Sequence, residues 1–330
     1  MSPSTRSSEP PPPCCAALLR AVTSRHHDVS SVQSALAFCR SNGVGAGECR
    51  GRVGGSPLVW AARAGHAGAV GLLLSPEEPG RANGGGRGAT TPSSTLDSTT
   101  PSRTPSLPGR PCTANDCDDL GLSALSHASQ EGWLPCADAL LSAGADASSV
   151  DCFGLSPLHK AAAFGHDGVC QRLCRGGADP NVPASASITA PLAMEAEASR
   201  GVRPLHCIAR GAWAVPDAAR RQRVIRALLV GGADPGLRDD DGDAPLHYAA
   251  AGGDWRSCWT LVREGGGFAR AGAGARNHAR CVPADLVPLG YGDGADAGAG
   301  DGGPVARAVV DVAARAVLKA VLRVGAVVLS

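Results

Sequence analysis

The 330-residue chain is poor in several things that a protein of its length usually has. Aromatic residues make up 3% of it, which is too few to fill a wide sandwich or barrel and leaves small aliphatic side chains to build the core. Lysine occurs only at Lys160 and Lys319, and charge of one sign is missing altogether: 31 basic residues face 30 acidic ones, for a net charge of +1. A field able to gather nucleic acid or an anionic membrane is therefore absent. The first 13 residues are polar and Pro-rich and hold no apolar core of a secretory signal. The one long apolar stretch, Pro304 to Ser330, carries Arg307, Asp311, Arg315, Lys319 and Arg323 at a constant step of four. Five charges on one helical stripe are expensive in lipid and ordinary on a surface helix, so no membrane insertion is expected.

Motifs of chemistry are missing too. No G-x-S-x-G elbow, P-loop or Gly-rich dinucleotide turn occurs, so catalysis and cofactors are not expected. The 13 cysteines are odd in number and widely spread, which reads as reduced, mostly buried thiols of a cytoplasmic or nuclear protein. Cys170 and Cys174 share a helical face, yet no second CxxC or HxxxH half completes a zinc site. Cys112 and Cys117 are spaced too loosely for a metal, and no metal is expected.

What the chain does have is repetition. The run Gly154-Leu-Ser-Pro-Leu-His-Lys-Ala-Ala-Ala-Phe-Gly-His166, ending at Gly177-Ala-Asp179, is echoed from Gly121 to Gly132 and on to Gly144-Ala-Asp146. Leu125 and Leu158 are 33 residues apart. Further starts stand at Gly54, Gly201 and Gly242, and the Leu-Leu-x-x-Gly-Ala-Asp ending of Leu140 to Asp146 returns at Leu228. Each position has a physical reason. Ser156 caps a helix, and Pro157, Pro204 and Pro245 sit where a missing N–H costs nothing. Ala161 and Ala162 allow close helix packing, and Gly65, Gly132 and Gly165 end the first helix with a residue that tolerates positive φ.

These residues resemble the ankyrin repeat, in which a 33-residue unit is a turn followed by two antiparallel helices. The resemblance implies an all-α solenoid of about six or seven units, with a concave surface of hairpin tips and inner-helix positions that binds protein. It also implies that His159, His206 and His247 are structural links between turns. The expected layout is an unstructured residues 1–13, degenerate and first clear repeats over 14–74, and a Gly/Ser/Thr/Pro-rich insertion over 75–114. Repeats then follow over 115–267, with insertions near 183–199 and 213–219. A degenerate final repeat with a Gly-rich loop at 291–303 and a closing helix occupies 268–330.

The function that follows is non-enzymatic: a scaffold or adaptor, expected to be a monomer, binding a partner protein on its concave face. By position in the unit, Phe153, Leu155, Lys160 and Phe164 are contact candidates, with Leu122, His127, Glu131 and Trp133 before them and Asp241, Asp243 and Tyr248 after. Asp239-Asp240-Asp241-Gly242-Asp243 would offer an acidic tip to a basic segment; it lacks the spacing of a calcium loop. Two alternatives stand beside this. One is the substrate-recognition subunit of a ubiquitin-ligase-type complex, with the Val305–Leu329 helix recruiting. The other is nucleic-acid or phosphate binding by Arg200, Arg203, Arg210, Arg220, Arg221 and Arg223.

Overall fold

The small apolar residues of the repeats are spent on closely spaced helices. The structure, a computed structural model, describes residues 12–24, 29–51, 54–75, 111–184, 201–210, 215–267 and 271–287. Of the expected insertions, residues 76–110, 185–199 and 213–214 lie outside the described residues, while Ala218 and Ala219, expected in the last of them, belong to a helix that starts at Ala218. Residues 1–11, the loop at 291–303 and the helix from Pro304 also lie outside the described residues.

Six helix pairs run in chain order. They are α1 (Pro13–Thr23) with α2 (Val29–Ser41), α3 (Pro57–Ala64) with α4 (Ala67–Leu74), and α5 (Ala124–Glu131) with α6 (Leu134–Ser142). Then come α7 (Pro157–Ala163) with α8 (Asp167–Arg175), α9 (Pro204–Arg210) with α10 (Ala218–Val230), and α11 (Pro245–Ala251) with α12 (Trp255–Glu264). A 3-10 turn at Pro283–Asp285 starts a seventh unit against α11. Odd-numbered helices stack on odd and even on even, which gives an inner and an outer layer. Among the described residues no strand forms; one isolated bridge joins Cys117 and Ser123 at a hairpin neck.

The core runs along the seam between the layers. Leu58, Leu125, Leu158, Leu205 and Leu246 anchor the inner helices, and Leu140, Leu173, Leu228 and Leu261 the outer ones, all at 0–1% exposure. Burying a leucine side chain contributes about 2 kcal/mol, so each unit depends on neighbours that complete its burial. Pro57, Pro157 and Pro245 open their helices at the first turn. Gly65, Gly132 and Gly165 hold φ of 80–81° at the ends of inner helices, as expected.

Three local readings change. Helix α1 begins at Pro13, a residue assigned to the unstructured N-terminus, because proline suits the first helical turn. Residues 111–114, assigned to the insertion, belong to the repeat: Cys112 is buried at 6%, and the Asn115 side chain beside them accepts the Asp146 amide at 2.8 Å. Asn181 accepts the Asp234 amide likewise at 2.8 Å, one junction later. Finally, Cys15 and Cys49 are joined as a disulfide between α1 and the 3-10 turn Ala46–Glu48, with Cα atoms 4.9 Å apart, so not every cysteine is a free thiol.

Candidate functional site

The hairpins between units form the rim of the inner layer, and an aspartate organises three of them, those before α5, α7 and α11. Asp118, Asp151 and Asp239 each precede a glycine by three residues, at Gly121, Gly154 and Gly242, where φ is 72–79°. The Oδ1 atom of each aspartate accepts two backbone amides of its own turn. Asp151 takes Phe153 and Leu155 at 2.9 Å each, Asp239 takes Asp241 at 3.0 Å and Asp243 at 2.8 Å, and Asp118 takes Leu120 at 3.0 Å and Leu122 at 2.9 Å. This fixes the turn by satisfying donors that no ladder reaches.

The second oxygen, Oδ2, faces the inner helix. There it meets the side chain two residues after the anchor leucine: His127 Nε2 at 3.0 Å from Asp118, Lys160 Nζ at 2.8 Å from Asp151, and the Tyr248 hydroxyl, which donates to Asp239 at 2.6 Å. Each of these three fingers is thus tied to its own inner helix. In the second unit the aspartate is replaced by Gly51. The Trp60 indole fills that space, 2.6 Å from where a Cβ would stand, and its N–H is buried without a hydrogen-bond partner.

A second ladder runs beneath the first. His159, His206 and His247 accept the backbone amide at their helix N-termini on Nδ1, at 3.0–3.3 Å, and face the carbonyls of Val202, Asp243 and Ala275 in the next unit through Nε2, at 3.1 Å each. An acceptor role for Nδ1 requires the Nε2–H tautomer, so the ring donates across the junction. Burial pulls His159 and His206 down to about 4, which keeps both neutral at pH 7. The expected linking role of the histidines is what the geometry shows.

The contact candidates therefore fall into different settings. Leu122, His127 and Lys160 are 7–8% exposed, so none of the three offers a free side chain. Lys160 is consumed by Asp151 and His127 by Asp118, because a buried charge or polar group must be paired. Phe153, Leu155, Asp243 and Tyr248 are half-buried, and Tyr248 meets the His206 ring edge-on at 5.8 Å. Glu131 and Phe164 are exposed at equivalent inner-helix ends, beside Arg63 and Arg210. Trp133 is 41% exposed but sits at the turn between α5 and α6, where its ring covers Gly65 and its N–H donates to the Arg63 carbonyl at 3.2 Å. His166 repeats this over Gly132, donating to Gln130 at 2.9 Å.

The acidic tip is less charged than its sequence. Asp239 is buried in its turn and Asp243 accepts the Asn277 side chain at 2.8 Å, which leaves Asp240 and Asp241 exposed. The following finger sets exposed Arg276 and Arg280 nearby. Three members of the arginine set are engaged within the solenoid. Arg203 donates to the Asn181, Gly201 and Arg238 carbonyls, Arg220 to the Gly165 carbonyl, and Arg221 pairs with Asp254 at 2.6 Å while 6% exposed. These three guanidiniums hold the solenoid together; Arg210 and Arg223 stay exposed, and Arg200 lies outside the described residues. Cys170 is buried and Cys174 half-buried, and among the described residues no group of three or more His, Cys, Asp or Glu is arranged to hold a metal ion. Nor is any described helix long and apolar enough to cross a membrane.

The finger aspartates were missed in the sequence. Their signal was the spacing Asp-x-x-Gly before each helix cap, 33 residues apart at Asp118 and Asp151.

Comparison with known proteins agrees with this architecture. Residues 106–184 match the family model described as Ankyrin repeats (3 copies). The structure is similar to the ankyrin repeat domain of Bcl-3, a unique member of the IkappaB protein family, with a TM-score of 0.56 and 19% identity over 86% of this chain and 96% of that one. The human ASB11 ankyrin repeat domain gives 0.55 and 18%, over 84% and 92%. Residues 106–184 thus carry ankyrin repeats, and the described residues have the all-α solenoid fold of ankyrin repeat domains.

Proposed function

We propose that this chain is a non-enzymatic adaptor that holds a segment of a partner protein along its inner face, the concave surface of the ankyrin solenoid. Ankyrin repeats generally mediate protein–protein interaction, and the observation that supports this role here is the tying of each finger. Asp118, Asp151 and Asp239 lock the hairpins before α5, α7 and α11 to their own helices. The exposed residues they carry, among them Leu120 and Asp240, are therefore held in place before binding. Preorganised contacts lower the ordering cost of association. The exposed inner-helix ends Glu131, Phe164 and Arg210, on α5, α7 and α9, supply an aromatic anchor with one charge sign on each side, a mixed surface suited to a peptide with complementary charges around an apolar residue.

The test compares affinity capture by the wild-type chain and by Phe164→Ala/Glu131→Lys, with the outward-facing Val230→Ser as control. Val230 is 90% exposed on the outer helix α10. The inner-face variant should lose a specific partner that both other proteins retain. Loss with Val230→Ser, and retention by the inner-face variant, would move binding to the outer layer.

A further inference from the structure

The first unit gathers four buried cysteines at one junction. Cys14 and Cys15 lie on α1, Cys39 on α2 and Cys49 just after the 3-10 turn Ala46–Glu48, all at 0–2% exposure. Cys15 and Cys49 are bonded to each other across 34 residues. Cys39 stands beside that bond: its Sγ is 4.0 Å from Cys49 Sγ, and its thiol donates to the Cys14 carbonyl at 3.3 Å. A thiol in contact with a disulfide is the arrangement that exchange requires, since a thiolate attacks one sulfur and displaces the other.

Burial shapes this chemistry in two ways. Neither sulfur of the bond is open to a reductant from solution, so the attacking group has to come from within the fold, and Cys39 is the thiol placed against Cys49. Burial also pushes the Cys39 thiol up to about 11, with neighbouring Cys14 adding to the rise, so little thiolate forms at neutral pH and exchange is slow. The two bonds then hold different elements. Cys15–Cys49 ties the turn to α1, the inner helix that packs on α2 and α3. A Cys39–Cys49 bond would tie the same turn to α2, 10 residues away in sequence. It would leave α1 held by packing alone, through Leu18 and Val22 at 0% exposure.

We propose that the first unit is a thiol–disulfide switch, in which Cys39 takes Cys49 from Cys15 and moves the tie of the Ala46–Glu48 turn from α1 to α2. Cys39 gives up its proton, and its sulfur forms the new bond to Cys49 Sγ. The Cys15–Cys49 bond breaks, and its electron pair leaves on Cys15 Sγ, which takes up a proton. One disulfide and one thiol stand on each side of the reaction, so no outside oxidant or reductant is consumed. Helix α1 is the first of the inner layer, and its release loosens the N-terminal end of the inner face. The switch rests on the cysteine geometry and is independent of which partner that face binds.

Tryptic mapping of the full chain reads the switch, because cleavage after Arg6, Arg20, Arg25, Arg40 and Arg50 puts Cys15, Cys39 and Cys49 on the separate peptides 7–20, 26–40 and 41–50. The chain would be held at mildly alkaline pH under native conditions, quenched in acid, alkylated and digested without reductant. Peptide 41–50 should be linked both to 7–20 and to 26–40, the second at no less than about a tenth of the first. Cys39→Ala should leave only the 7–20 link, and Cys15→Ala, oxidised with glutathione disulfide, only the 26–40 link. Amide exchange over α1 should be at least about tenfold faster in the bonded Cys15→Ala chain than in Cys39→Ala, with α5 to α12 unchanged. Reduction of both variants should erase most of that difference, which a packing defect at residue 15 would not allow. A wild-type map with the 7–20 link alone would overturn the proposal. So would a link between 7–20 and 26–40, which means attack on the other sulfur, or links from 41–50 to distant cysteines such as Cys136, which mean scrambling through unfolding.

Discussion

Replacing Lys160 with methionine should destabilise the fourth unit by about 3 kcal/mol, an effect that a surface lysine would not produce. The side chains of Lys160 and Asp151 are 9% and 0% exposed, and Nζ lies 2.8 Å from Oδ2. Removing one partner of a buried pair costs about 3–5 kcal/mol, because the remaining charge stays desolvated. The lower end applies here, since Oδ1 keeps its two amide donors at 2.9 Å and the finger is at the rim. The double variant Asp151→Asn/Lys160→Met keeps the Oδ1 acceptor and removes the stranded charge, so it should recover all but about 1 kcal/mol. A repeat array need not unfold in one step, so the assay is native-state hydrogen exchange at the Phe153 and Leu155 amides. Lys160→Met should speed their exchange about a hundredfold, and the double variant should restore most of the protection. An effect of the single substitution below about 1 kcal/mol, or a double variant as unstable as the single one, would refute the reasoning.

Acid should unfold the array through its junction histidines. His159 and His206 have folded values of about 4, lowered by burial, against about 6.5 unfolded. A depressed folded value contributes stability that is complete above pH 6.5 and lost as pH falls from there toward 4. The urea midpoint should fall across that window, and less steeply in His159→Gln/His206→Gln; a flat wild-type profile from pH 7 to 4.5 would contradict this. Arg280 is the one described non-glycine residue with positive φ, 62°, at the hairpin position that glycine fills in earlier units. Arg280→Gly should stabilise the C-terminal unit by about 1 kcal/mol, read as slower amide exchange around Cys281, and faster exchange would count against it. Asp254→Ala strands the buried Arg221 guanidinium and removes the α12 cap, so thermal scans should show a loss of about 3 kcal/mol or more, and a loss below 1 would refute the pairing.

The fold was legible because it is written in backbone punctuation. Pro157 and Pro245 mark helix starts and Gly65, Gly132 and Gly165 helix ends, each through a local constraint that needs no tertiary contact to be read. The site was legible only by position. Lys160, His127 and Tyr248 were placed on the inner face by counting from the anchor leucine, but counting does not reveal that each bonds back to an aspartate nine residues earlier. Trp133 resembled a contact anchor for the same reason; its role over Gly65 depends on a unit 67 residues away, across an insertion. The Cys15–Cys49 bond likewise joins residues that no spacing rule connects. The arginines looked like a cluster in sequence, yet even Arg220 and Arg221, adjacent on α10, turn to different neighbours, the Gly165 carbonyl and Asp254.

The central claim, that the inner face is the partner-binding surface, is tested most directly by site-specific photo-crosslinking. A photoreactive residue would be placed at Phe164 or Arg63 on the inner face, and at Val230 or Arg263 on the outer layer. The account predicts that one partner protein crosslinks from the inner positions alone, and that excess unlabelled chain competes it away. Crosslinks from the outer positions alone, or equally from both faces, would contradict it.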